Sequence, residues 1–168
     1  NWGGTLGLTP VKIFHKGYYN HMEESHELLV SYGNEKIWDV LAENPRNRVV
    51  VFGEQPEMLR FPCSTQSYTD IEGSGGNFNL SSSPEALAEF FTFAGVDHIY
   101  LGSGYLKPGT DGFRNVTGLL KQGYLSDLLY ENGNGLAVFS PEPRELSAEE
   151  SEALLAEFTE KYWPGEQQ

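Results

Sequence analysis

The chain has 168 residues with 24 acidic against 11 basic side chains, a formal charge of −13; no Lys/Arg cluster is available for a phosphate backbone, so nucleic acid is excluded and anionic lipid headgroups are repelled. Hydrophobic residues at 39% and aromatics at 13% are too many for a disordered segment, and this length suits one domain that buries its own core. Cys63 is the sole cysteine, which rules out an intrachain disulfide and a cysteine-cluster metal site.

Residues 1–19 are rich in Gly and aromatics, show no period, and read as an irregular lead-in. Two helical segments follow up to Asn44. The first places Met22, His26 and Leu29 on one face. The second starts at Asn34 as a cap and carries the stripe Ile37, Trp38 and Leu41. Gly33 separates them and Asn44-Pro45 ends the second.

Arg48–Phe52 is a β-branched run that predicts a strand buried on both faces, as in a parallel sheet. Pro56–Phe61 reads as a helical turn, Ser64–Asp70 as a more exposed strand and Gly73–Ser82 as a loop. Ser83 and Pro84 then open a helix with Leu87, Phe90, Phe91 and Ala94 on its inner face, stopped by Gly95. Val96–Leu101 predicts a second buried strand, parallel and adjacent to the first, completing a βαβ order.

Gly102–Arg114 reads as a long loop and Val116–Gln122 as a short helix. The runs Leu128–Glu131 and Leu136–Phe139 flank Asn132-Gly133-Asn134-Gly135, a hairpin signal because Asn and Gly tolerate φ > 0. Ser147 and Glu150 form a capping box for a last helix with the stripe Leu154, Phe158 and Tyr162, ended by Pro164. The expected fold is α/β, a three-layer sandwich with a mostly parallel, Rossmann-like sheet and a C-terminal antiparallel hairpin. One domain spans 1–168: lead-in and helices at 1–45, sheet core at 46–140, C-terminal helix at 141–168.

No motif in the chain specifies a chemistry. His21 and His26 lie five apart, whereas a helical zinc pair needs i, i+4, so the stretch reads as a surface helix. Gly102-Ser103-Gly104 follows a strand, but Lys107 stands where a dinucleotide fingerprint needs its third glycine. Gly73-Ser74-Gly75-Gly76 lacks that fingerprint too, and no Walker pattern exists. Glu54, Glu57, Asp70 and Glu72 lie near strand ends, where paired carboxylates could act as acid and base, but chance neighbours are expected among 24 acidic residues. Ser64, Ser103 and Cys63 have no nucleophile context. Asn79-Leu80-Ser81 and Asn115-Val116-Thr117 match the N-glycosylation sequon. One loop mixes aromatic, basic and acidic groups: Tyr105, Lys107, Asp111, Phe113 and Arg114 follow the carboxyl end of a predicted strand, where open α/β sheets place ligands. These are the candidate binding residues; no catalytic residue, cofactor or metal is expected.

Four phrases set a layout: Arg48-Val-Val-Val-Phe; Ser83-Pro-Glu-Ala-Leu-Ala-Glu-Phe-Phe; Ala94-Gly-Val-Asp-His-Ile-Tyr-Leu; and Leu128-Leu-Tyr-Glu-Asn-Gly-Asn-Gly-Leu-Ala-Val-Phe. Over about residues 46–140 it resembles the soluble C-terminal domain of bacterial multi-spanning membrane glycosyltransferases, relatives of the protein mannosyltransferases. The resemblance implies an extracytoplasmic domain tethered by transmembrane segments outside this sequence. It implies no catalytic residue here, because the family's catalytic acids lie in its membrane part. The start at Asn1 without an initiator Met fits a processed product or an excised piece, and no apolar run reaches the ~20 residues needed to cross a bilayer.

The reading is therefore a non-catalytic domain that binds or positions a glycan or polar acceptor, or packs on the transmembrane portion of its own parent chain. The alternative is a free-standing, cytoplasmic α/β enzyme with a site in loops 53–57, 70–77 and 102–114.

Overall fold

A computed structural model describes residues 34–53, 59–73 and 81–162. The elements run α1 (Glu35–Ala42), β1 (Arg48–Phe52), β2 (Ser64–Ser67), α2 (Tyr68–Gly73), α3 (Pro84–Ala94), β3 (His98–Leu101), α4 (Asp111–Lys121), β4 (Leu125–Glu131), β5 (Asn134–Phe139) and α5 (Ala148–Tyr162). The fold is α/β. One mixed sheet has the order β2-β1-β3-β5-β4, parallel across β2, β1 and β3 and antiparallel at the β5, β4 end.

The two apolar runs are adjacent parallel strands, with Val49 opposite His98 and Phe52 opposite Leu101. Their lack of alternation has a direct cause. Val50, Phe52, Ile99 and Leu101 face a core built from α2, α3, α4 and α5, including Tyr68, Leu87, Phe91, Leu119 and Phe158. Val49, Val51 and Tyr100 face a smaller cluster with Ile37 and Leu41 of α1. A strand covered on both sides needs apolar residues at every position.

Local chemistry sets the boundaries. Ser83 Oγ accepts the Ala86 amide at 3.2 Å, Pro84 takes the first turn of α3, and Gly95 closes it at φ +65°. The Val96 amide donates to Phe91 O at 2.9 Å in that closing turn, so β3 begins at His98, two residues later than the pattern places it. The expected strand Ser64–Asp70 is corrected to a strand of four residues followed by α2. Ser67 Oγ accepts the Thr69 amide at 3.2 Å and turns the chain. Tyr68 then stacks on Phe52 at 4.2 Å, with Ile71 buried one helical step on.

A second correction concerns α4, which starts at Asp111 rather than Val116. Thr110 caps it, accepting the Phe113 amide at 3.3 Å. Gly112 does not mark a loop. A Cβ there would lie 3.2 Å from Leu106 Cδ2 and 3.3 Å from Tyr68 Cε1, so the missing side chain is what lets the helix approach. Gly118 plays the same part against Pro84 of α3, whose ring a Cβ would overlap.

The hairpin forms where Asn-Gly sits. Glu131 pairs with Asn134 across Asn132 and Gly133, both at positive φ, 49° and 80°. β4 reaches back to Leu125, past an irregularity between Ser126 and Leu129 that holds Asp127 at φ 48°. The Ser147/Glu150 capping box is present in both directions, at 3.2 and 2.9 Å. On α5, Phe158 and Tyr162 are buried as the stripe predicts, while Leu155 packs on the core and Leu154 is half-buried.

The lead-in, the Met22 helix, Pro164, the segment Pro56–Met58 and most of the Gly73–Ser82 loop lie outside the described residues. Leu59–Phe61, the rest of the expected turn, is not helical, and Arg60 is left-handed at φ 47°. No helix among the described residues is long and apolar enough to cross a membrane.

Candidate functional site

Chain connections create a switch point between β1 and β3. The chain leaving β1 goes to β2 on one side, and the chain leaving β3 goes through α4 to β4 on the other. Ligands of open α/β sheets sit outside the carboxyl ends of such strands. Here the two ends are pinched together. The Gly102 amide donates to Phe52 O at 2.8 Å, and a Cβ on Gly102 would lie 3.2 Å from that oxygen. The Tyr162 hydroxyl, from the end of α5, donates to Gly102 O. Ser103 and Gly104 beyond this point are exposed, and Gly104 turns the chain at φ 68°.

A buried polar chain anchors that turn from below. The Ser103 amide donates to Asn134 Oδ1 at 2.8 Å, and Asn134 Nδ2 donates to Asn34 Oδ1 at 2.8 Å. Asn34 Nδ2 in turn donates to the Tyr100 hydroxyl at 3.0 Å. Asn34 therefore does not cap α1 with its side chain, against the sequence expectation. Glu131 Oε2 does so from the hairpin, accepting the Lys36 and Ile37 amides at 2.9 and 3.2 Å. Nothing in the pattern around Asn34 signals this, because its partners lie 66 and 100 residues away.

The five candidate residues lie at the end of this turn (Tyr105), at the start of the next (Lys107) and on the first turn of α4 (Asp111, Phe113 and Arg114). Tyr105 and Phe113 are half-buried and pack against the core. The Tyr105 hydroxyl shares a hydrogen bond with Thr69 Oγ1 at 2.8 Å. Asp111 and Arg114 pair at 2.7 Å, and Arg114 Nη2 donates to Ser82 O at 3.3 Å. Lys107 is exposed, and its carbonyl accepts the Thr110 hydroxyl at 2.7 Å. The structure thus joins Asp111 to Arg114 and Tyr105 to α2. The set offers an exposed Lys107, an ion pair and two half-buried aromatic rings, which suit polar contacts.

The other candidates divide. His21, His26, Glu54, Glu57 and the loop residues Ser74, Gly75 and Gly76 lie outside the described residues. Among the described residues no group of three His, Cys, Asp or Glu side chains is arranged to hold a metal ion. Burial, with the Asp97 carboxylate adding to it, pushes the Cys63 thiol up to about 11, which removes its nucleophilic form at neutral pH. Asn115 is fully buried, donating to the Tyr68 hydroxyl at 3.1 Å and Ser81 O at 2.8 Å, so its sequon is closed to modification in the folded chain. Asn79 lies outside the described residues.

Sequence reasoning also missed a surface groove of about 400 Å³ along α3. Ala88, Thr92 and Phe93 form one wall, Tyr124 and Pro141 the other, and Glu85 and Glu89 complete the lining. Phe93 is 90% exposed. Its signal was available: Glu85, Glu89 and Phe93 recur at i, i+4, i+8, off the buried stripe of the helix. Comparison with models of known protein families, with curated proteins and with solved structures gives no significant match.

Proposed function

We propose that the chain is a non-catalytic domain of a bacterial membrane glycosyltransferase, held at the extracytoplasmic face by segments outside this sequence. In this reading it binds or positions a glycan or other polar acceptor through Tyr105, Lys107, Asp111, Phe113 and Arg114, or packs on its own transmembrane portion. The finer description of the fold, a three-layer sandwich with a Rossmann-like sheet, belongs to the same proposal. The presence of helices on both faces and the parallel β2-β1-β3 order favour it.

One observation carries the functional reading. The five residues follow β3 in the chain, and β3 ends beside a topological switch point, which supports the reading. Partly embedded rings and a surface ion pair suit weak recognition, with Kd on the order of 1 mM. The test is an NMR titration with bacterial-surface oligosaccharides, repeated on a Tyr105→Ala, Arg114→Ala double variant. Saturable shifts in the 102–114 segment that vanish in the variant are expected. Sugar transfer by the purified chain would sink the non-catalytic assignment, and binding that survives the double substitution would sink the site.

A further inference from the structure

We propose that the groove along α3 docks a short, extended, cationic segment of another protein, in which an apolar side chain is flanked by Lys or Arg. Glu85, Glu89 and Phe93 stand one turn apart on the same helix face, so the stripe is about 12 Å long. An extended chain of about four residues covers that length. Across from it, Tyr124 stacks on Phe139 at 6.0 Å, so this wall is fixed to the core. Thr92 is committed as a donor, its hydroxyl bonding Ala88 O at 2.8 Å.

Charge complementarity identifies the occupant. No Lys or Arg lines the groove among the described residues, while two carboxylates do. Hydrogen bonds from its own backbone amide, Ser83 and Gln122 hold the Glu85 carboxyl below the usual range. A net charge of −13 draws cations toward the whole surface. Only here is that field joined, among the described residues, to a large aromatic side chain left almost fully in water, since the other exposed large hydrophobic, Val40, is 38% exposed. A purely apolar partner would place no cation against the two carboxylates. A purely basic one would leave Phe93 unused.

The probe is the peptide acetyl-Arg-Leu-Pro-Arg-amide, titrated into the isotope-labelled 168-residue chain and followed by NMR. Saturable shifts confined to Glu85–Phe93 and Tyr124 are expected, with Kd on the order of 1 mM. Glu89→Lys and Phe93→Ser should each weaken binding about tenfold, a ~1.4 kcal/mol effect. Both positions are exposed, so each variant should keep the parent's amide spectrum away from the groove. Shifts scattered over the surface, equal binding of acetyl-Arg-Gly-Gly-Arg-amide, or indifference to either substitution would overturn the proposal. A concentration-dependent dimer abolished by Phe93→Ser would assign the groove to a second copy of the chain and overturn it as well.

Discussion

Replacing Asn134 with alanine tests whether the turn after β3 is held by the buried polar chain. Two hydrogen bonds are lost, each 2.8 Å long: one from the Ser103 amide and one to Asn34 Oδ1. Ser103 is exposed, so water can replace the bond to its amide and the net loss there is about 1 kcal/mol. Asn34 is 2% exposed, so its Oδ1 is stranded, at a cost of about 1–3 kcal/mol. The sum is about 2–4 kcal/mol. Urea denaturation should show a lower midpoint with an unchanged slope. Amide exchange at Ser103 should accelerate more than elsewhere. A cost below ~0.5 kcal/mol would refute the argument. So would strict additivity with Asn34→Ala, because contacting partners should couple by at least ~0.5 kcal/mol.

Three further outcomes are expected. Phe91 is fully buried and meets the Phe139 ring edge-on at 5.4 Å, so Phe91→Ala should cost about 3–5 kcal/mol in a urea melt, and an unchanged midpoint would show the ring is not core. Gly123 sits at φ 79°, and a Cβ there would overlap Arg144 O; Gly123→Ala should therefore destabilise by more than ~2 kcal/mol and displace the segment before α5, read as altered amide shifts at 142–147. Burial, with the Glu131 carboxylate adding to it against the Asn34 bond, pushes the Tyr100 hydroxyl up to about 12. The folded chain then holds a proton that the unfolded chain releases near pH ~10. Stability from this group is intact below pH ~10 and falls as pH rises toward about 12, measurable as phenolate absorbance alongside the urea midpoint. Ionisation of Tyr100 near pH ~10 would refute it.

Where a structural decision is local, the sequence displays it. Ser83-Pro84, Gly95, Asn132-Gly133 and the Ser147/Glu150 box each act within five residues, and each is found where the pattern puts it. The two buried strands were legible because burial on both faces leaves an apolar run without alternation, Val49–Phe52 and Ile99–Leu101, behind a polar first residue. Glycine misled where its role is close packing. Gly112 falls in a stretch that reads as loop, yet it and Gly118 let α4 approach Tyr68 and Pro84, which are distant in the chain. The candidate loop was legible as composition only. The Arg114–Asp111 pair is local, at i, i+3, but needs a helix that starts at Asp111; that Arg114 also reaches Ser82, and Tyr105 reaches Thr69 of α2, depends on segments distant in the chain. The α3 groove lies on the face of the helix away from its buried stripe, where apolar periodicity carries no signal.

The cap that Glu131 gives to α1 has a consequence for the order in which the chain acquires structure. A helix of eight residues is shorter than the ~12–15 residues that hold together alone in water. Its first amides find their acceptor 94 and 95 positions later. During synthesis α1 emerges long before β4 exists, so it has neither its cap nor the Leu136 side of its apolar partner surface. It should consequently consolidate after the hairpin, on a sheet already assembled by the other elements, and contribute to slowing unfolding rather than to speeding folding. The start of α1 is thus expected to be completed only once Glu131 of β4 is in place.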